Sequence, residues 1–168
     1  MPHFNAAGTS IGLDSSLPDS GRIIFTGDQT QLAPGVTLVS GLSVPAVYPV
    51  DHGGMRFMSD EGPVPEDFRH EQYLIIYENG KTICISGCSH RGIVNIVRHF
   101  RPDVLVGCFH LRDIPPEDPA LAEIAAALLE SPTVYYTGHC TGQAQFDRLK
   151  MLMGDRLQAI RAGMVLEI

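Results

Sequence analysis

The order of segments between residues 71 and 153 leaves this chain few folds to choose from. "EQYLIIYENGKTICISG" (71–87) holds two β runs around Glu78-Asn79-Gly80, and Asn-Gly is a strong signal for a two-residue hairpin. "GIVNIVRHF" (92–100) carries apolar residues at 93, 94, 96, 97 and 100, the spacing of one helical face against a core. Arg101-Pro102 ends that helix. "DVLVGCFH" (103–110) is a nearly continuous apolar run, as a strand buried on both faces requires. "DPALAEIAAALLES" (118–131) is rich in Ala and Leu with Pro119 in a first-turn position, which predicts a helix. "TVYYTG" (133–138) reads as a strand. Residues 141–153 read as a helix with Thr141 as N-cap and Gly154 as its stop, and "GMVLEI" (163–168) as a closing strand. Strands alternating with helices in this way predict an α/β layout with largely buried strands.

Upstream the pattern is looser. The first twenty residues are rich in Gly, Ser, Asn and Pro and read as loop. "RIIFTG" (22–27) and "GVTLVSG" (35–41) are predicted as short strands between turn residues. Residues 43–69 hold Pro45, Pro49, Pro63 and Pro65 together with Gly and Asp, which predicts a long Pro/Gly-rich loop, a kind of segment that often serves as a lid. At 168 residues, the whole of 1–168 is expected to form one domain with its own core.

Charge narrows the partners. Twelve Lys and Arg against nineteen Asp and Glu give a net charge of −7, which argues against a nucleic-acid binder because phosphate contacts need a basic face. The apolar run 124–129 is closed off by Glu123 and Glu130 and is far too short to span a bilayer. The N-terminus shows neither the charged segment nor the apolar stretch of a signal peptide, so a cytoplasmic protein is expected. Its four cysteines are then expected to be thiols. Cys84 and Cys108 lie in apolar runs and read as small buried hydrophobes.

Cys88 and Cys140 do not read that way. "SGCSHRGIVNIV" (86–97) and "TGHCTG" (137–142) each place thiol, hydroxyl and imidazole together. With "GCFH" (107–110), they fall just beyond three predicted strands, where ligands gather in open α/β sheets. A divalent metal needs three or four thiolate, imidazole or carboxylate ligands, and the candidates are Cys88, His90, His110, His139 and Cys140. No C-x-x-C pair exists, so a site assembled by tertiary contact is expected rather than a local finger. Each His taken singly could equally be a hydrogen-bonded loop residue. Gly87, Gly92, Gly138 and Gly142 permit tight turns, and the helices that follow would offer free N–H groups to a phosphate or carboxylate. A nucleophilic role for Cys88 or Ser89 beside His90 finds little support, since adjacent residues on a turn rarely face one another and no G-x-S-x-G elbow appears.

Taken together, "ISGCSHRGIVNIV", "GCFHL", "GHCTG" and the approach "EDFRHEQYLIIY" resemble the C-terminal half of the metallo-β-lactamase superfamily. The closer resemblance is to its dihydropterin or ribofuranosylaminobenzene phosphate synthase-like branch, over most of residues 20–168. The resemblance implies an αββα sandwich, here its C-terminal half as a mixed sheet with flanking helices, and a metal-dependent hydrolase using zinc, or else iron or manganese. It places Cys88 where the superfamily has an Asp or Cys metal ligand and His139 at the last His ligand. It puts His90 and His110 in or beside the pocket as the catalytic candidates. Cys108 stands where the family usually has Gly.

One departure matters more than these matches. The family's main ligand string, H-x-H-x-D-H, occurs nowhere in the chain. A further family ligand, a His commonly followed by Pro, would fall at Met1 in "MPHF", with His3 as a substitute candidate. Two readings follow. In the first, the chain is half of a metallohydrolase completed by a separate N-terminal-half polypeptide carrying H-x-H-x-D-H, acting on a small, phosphate-bearing substrate. In the second, it is a truncated or degenerate homologue without activity, self-associating as a homodimer and binding metal weakly or not at all.

Overall fold

The computed structural model describes residues 3–14, 16–49 and 53–167. Five strands precede the sharp hairpin: β1 (His3–Phe4), β2 (Gln29–Ala33), β3 (Val36–Ser40), β4 (Arg56–Ser59) and β5 (Gly62–Pro65). The hairpin is β6 (Gln72–Glu78) and β7 (Lys81–Ser86), turning at Asn79 and Gly80 with φ of 52° and 77°. Positive φ at both positions is the demand of a type I′ turn, which Asn-Gly meets at least cost. The chain then alternates through α1 (Ile93–Phe100), β8 (Val104–Val106), α2 (Pro119–Leu129), β9 (Val134–Thr137), α3 (Gln143–Met153) and β10 (Leu157–Ala159).

Seven strands form one mixed sheet in the order β10-β9-β8-β7-β6-β3-β2. The β2-β3-β6-β7 half is antiparallel and the β7-β8-β9-β10 half parallel. The three parallel crossovers all step the same way along the sheet. Because such crossovers are right-handed, α1, α2 and α3 all fall on one face, and the expected mixed sheet with flanking helices is what is observed. The register Thr37–Ile75–Cys84–Leu105–Tyr135–Leu157 is the row beneath them. From Cys84 to Leu157 it is fully buried against Ile96, Leu121, Leu128 and Leu149. The opposite face carries two apolar rows, Leu38–Leu74–Ile85–Val106–Tyr136 and Val36–Ile76–Ile83–Val104–Val134. All of its members but Val104 are only half-buried or exposed.

Some predicted elements differ. Residues 22–27 form no strand: β3 already has β2 as its outer neighbour, and Ile24 and Phe25 stand exposed without a ladder partner. The last strand is β10, anchored by buried Leu157; 163–167 form none, and residue 168 lies outside the described residues, as does Met1. Within 43–69, read from its prolines as loop, β4 and β5 make a hairpin that joins β1 in a second, three-stranded sheet of order β1-β4-β5. Pro63 and Pro65 are tolerated because β5 is its edge. Residues 50–52 lie outside the described residues. Helix α3 begins after Gly142 (φ 83°), not at Thr141; the Thr141 hydroxyl accepts from Phe109 N–H and pairs with Thr137. Among the described residues no helix is long and apolar enough to cross a membrane.

The two faces should respond differently to truncation. Leu105→Ala removes a fully buried side chain and should cost about 2–5 kcal/mol in urea unfolding. Ile85→Ala, on the opposite face and 39% exposed, should cost under about 1 kcal/mol. Equal costs would mean that the second face is also packed within this chain.

Candidate metal centre

The loops that leave the parallel strands converge because those strands point the same way. β7 runs into Cys88-Ser89-His90-Arg91, β8 into Cys108-Phe109-His110, and β9 into His139-Cys140-Thr141. Each loop contains one non-glycine residue in the left-handed region, Ser89 (φ 59°), His110 (51°) and His139 (48°). Such backbone costs about 1 kcal/mol or more per residue and persists only where surrounding contacts impose it.

Those contacts are specific. The Glu71 carboxylate accepts from the backbone N–H of His90 (2.8 Å) and Arg91 (3.0 Å), and from the Tyr73 hydroxyl (2.7 Å). Arg91 in turn donates to the carbonyls of Val44 and Asp67. The buried Ser89 hydroxyl pairs with Ser86 at 2.7 Å. Gly107 lets β8 pass against β7: a Cβ there would lie 2.7 Å from the Ser86 carbonyl oxygen.

Two groups of side chains result. Cys88, His139 and Cys140 bring their ligand atoms within 4.8 Å of one another. The clusters 86–97 and 137–142 therefore meet in one place. Cys140 is buried and His139 exposed, so the group runs from the core to the surface. All four cysteines are thiols. Burial, reinforced by the neighbouring Cys88 and then Cys108, pushes the Cys140 thiol up to about 12, while the backbone of His110 draws it down. Cys108 thus sits half-buried beside the centre, whereas Cys84 is the small buried hydrophobe expected, its thiol raised to about 12 by burial.

The donor set fits a metal ion. Zinc–sulfur bonds near 2.3 Å put tetrahedral sulfur atoms about 3.8 Å apart, inside the observed spread. Two thiols and one imidazole also leave a fourth position open. Without a cation, burial and the neighbouring Cys88 disfavour the Cys140 thiolate, and a bound cation would reverse that preference.

His90 and His110 form the second group. Their ring centroids are 3.9 Å apart, and Phe68 stacks on His90 at 4.6 Å and 15°. The Nδ1 atoms of both histidines are shut off from solvent with no hydrogen-bond partner. Burial, and then the proximity of His110, hold His90 below its ordinary pKa, although Glu71 pulls the other way. A neutral ring with an unengaged nitrogen can exchange a proton with a bound molecule.

Sequence reasoning missed Glu71, and it named only His3 of a third group, His3, Glu66 and His70, whose ligand atoms also lie within 4.8 Å of one another. The segment "EDFRHEQ" held a usable signal: Glu66 and His70 stand four residues apart ahead of a strand.

No protein-family model matches this chain, and no curated protein matches it. Among solved structures, it is similar to the crystal structure of Tm1679, a metal-dependent hydrolase of the β-lactamase superfamily. The TM-score is 0.73 at 25% identity, covering 87% of this chain. The match spans 58% of the length of that protein.

Two outcomes follow from this geometry. Glu71→Gln should lower stability by about 1.5–3 kcal/mol, because it weakens hydrogen bonds made to a charged group, and amide exchange at residues 88–91 should speed up selectively. Unchanged exchange there would remove Glu71 as the organiser of the loop. Because the folded pKa of His90 is depressed below 6.5, the unfolded chain binds that proton more readily. The His90 contribution to stability is therefore complete above about pH 6.5 and is lost as pH falls from there through the lower folded value. His90→Gln should flatten this acid-side loss in thermal melts of the metal-free chain; an equally steep loss would contradict it.

Proposed function

We propose that this chain is the C-terminal part of a metal-dependent hydrolase, in which Cys88, His139 and Cys140 hold a divalent ion and His90 and His110 handle protons beside it. The observation that carries this reading is the convergence of three ligand atoms within 4.8 Å at the carboxyl ends of parallel strands. The likeness to a metal-dependent hydrolase of the β-lactamase superfamily supports the reaction class. The motifs at 86–97, 107–111 and 137–142 support the dihydropterin or ribofuranosylaminobenzene phosphate synthase-like branch.

When bound, a divalent ion supplies a water of lowered pKa and positive charge at the attacked centre; zinc suits two thiolates and an imidazole best. The chain's own residues do the rest. Cys88 and Cys140 must lose their protons for binding, so uptake releases protons and weakens as pH falls. Burial keeps the His90 ring neutral, and Phe68 stacked on its face fixes its orientation. His90 and His110 are the side chains placed to accept or return a proton, and the Nδ1 of each makes no hydrogen bond within the chain. A phosphate-bearing small molecule suits the free N–H groups at the starts of α1 and α3.

The site is completed by a second polypeptide carrying H-x-H-x-D-H, seated on the apolar rows of the outer sheet face. Half-exposed Leu74, Ile76, Ile83 and Ile85 favour such a layer, since a contiguous apolar surface of this kind marks an interface.

Metal analysis with native mass measurement tests the proposal. The purified chain should bind zinc, and Cys88→Ser or His139→Gln should lower the affinity for about one equivalent of it at least about tenfold. Purification from the native host should bring down a chain bearing the missing ligand string, and phosphodiesterase activity should appear only with that chain present. A metal-free homodimer whose melting temperature ignores zinc and phosphate would instead establish the non-catalytic homologue.

A further inference from the structure

His3, Glu66 and His70 meet from two separate places in the chain, the N-terminal strand and the segment ahead of β6. Pairing of β1 with β4, His3 opposite Phe57, and the β4-β5 hairpin carry His3 across 63 residues to Glu66. Glu66 continues the pairing past β5, its N–H donating to the Met55 carbonyl at 2.9 Å. His70 stands just before β6.

The centre of the group is a carboxylate that burial leaves only 5% exposed. Glu66 Oε2 accepts from His3 Nδ1 at 2.5 Å, and Oε1 faces His70 Nδ1 at 3.5 Å. Oε1 also accepts from the Phe68 N–H at 3.0 Å, which fixes the carboxylate's orientation. The neighbouring Arg69 guanidinium is committed to Asp67. A buried carboxylate needs compensating charge, and the groups facing it here are two imidazoles, their rings 4.5 Å apart.

We propose that His3, Glu66 and His70 form a second, thiolate-free metal site that takes a divalent first-row ion such as zinc or ferrous iron. Two imidazoles and one carboxylate are the donor set of catalytic zinc and of non-haem iron centres. Metal–ligand bonds near 2.1 Å place tetrahedral ligands about 3.4 Å apart. Glu66 and His70 already stand at that separation, and His3 has to withdraw by about 1 Å, exchanging a hydrogen bond for a metal bond. Three protein ligands leave one position open, and all three residues line a cavity of about 1020 Å³. His90 lines the same cavity, so a molecule bound at the open position would meet an imidazole able to hold or move a proton. The His70 side chain is 54% exposed and gives an ion access from solvent. This site shares no ligand with Cys88, His139 and Cys140 and stands whether or not that centre binds metal.

Cobalt(II) titration of the full chain separates the two sites. In the Cys88→Ser/Cys140→Ser double variant, one equivalent of cobalt should still bind, giving visible d–d absorption without a thiolate-to-cobalt charge-transfer band. Adding His70→Gln or His3→Gln to that background should weaken this binding at least about tenfold, while His99→Gln, on the exposed end of α1, should leave it unchanged. Glu66→Gln should weaken it likewise, and should that variant fail to fold, the exposed His70 variant carries the test alone. Loss of all cobalt binding in the double variant overturns the second site, as does undiminished binding in the His70 and His3 variants, which would leave a hydrogen-bonded triad only. A missing charge-transfer band in the unmodified chain would count against the Cys88 centre and not against this one.

Discussion

The meeting of Cys88, His139 and Cys140 depends on three right-handed crossovers that step in the same direction. That constraint sends α1, α2 and α3 to one face of the sheet and brings the ends of β7, β8 and β9 into line. Cys88 and His139 are far apart in sequence, yet each lies two residues beyond the end of its strand. A crossover reversed at any one of them would carry its loop to a different neighbour and break up the donor set. The site is therefore a property of the parallel half of the sheet. The antiparallel half contributes Glu71, at the start of β6, whose carboxylate holds the first of those loops in place.

The cost of the arrangement is visible in the backbone. Left-handed Ser89, His110 and His139 together cost about 3 kcal/mol or more, a large share of the stability of a domain this size. What offsets it lies immediately underneath. Glu71 accepts two N–H groups from the first loop, Ser86 pairs with Ser89, and Thr141 receives the Phe109 N–H from the second while pairing with Thr137 beneath the third. Polar groups buried below a site, each with a partner, fix the loops more tightly than apolar packing could, because leaving any one unpaired would cost its full desolvation.

How much of this was legible in the sequence varies with the range of the forces involved. The 79–80 turn, α1, α2 and the strands from β6 to β9 follow from local propensity and apolar spacing, and the structure has them within a few residues. Residues 22–27 and 163–167 show the same apolar character, but a strand also needs an unpaired edge beside it, and that is decided elsewhere in the chain. The prolines of 43–69 read as loop because sequence cannot say which strand will be an edge. Cys88, His139 and Cys140 could be grouped because each follows a recognisable strand. His3, Glu66 and His70 could not: their meeting depends on the pairing of β1 with β4, two short strands more than fifty residues apart.

The two donor sets differ in a way that bears on how such a protein uses metals. Cys88, Cys140 and His139 are soft ligands held by strained loops on rigid parallel strands, an environment that favours tight retention of zinc. His3, Glu66 and His70 are harder ligands, and they sit where the small β1-β4-β5 sheet meets the start of β6, beside a cavity large enough for a substrate. An ion held by the first set would sit between the buried Cys140 thiol and the exposed His139; one held by the second faces open space with a neutral His90 on the same wall. The first arrangement suits keeping an ion and the second suits exchanging what is bound to it. A chain lacking the H-x-H-x-D-H string thus still presents an imidazole-and-carboxylate donor set on the wall of a cavity of about 1020 Å³, and it does so with residues drawn from outside the parallel sheet.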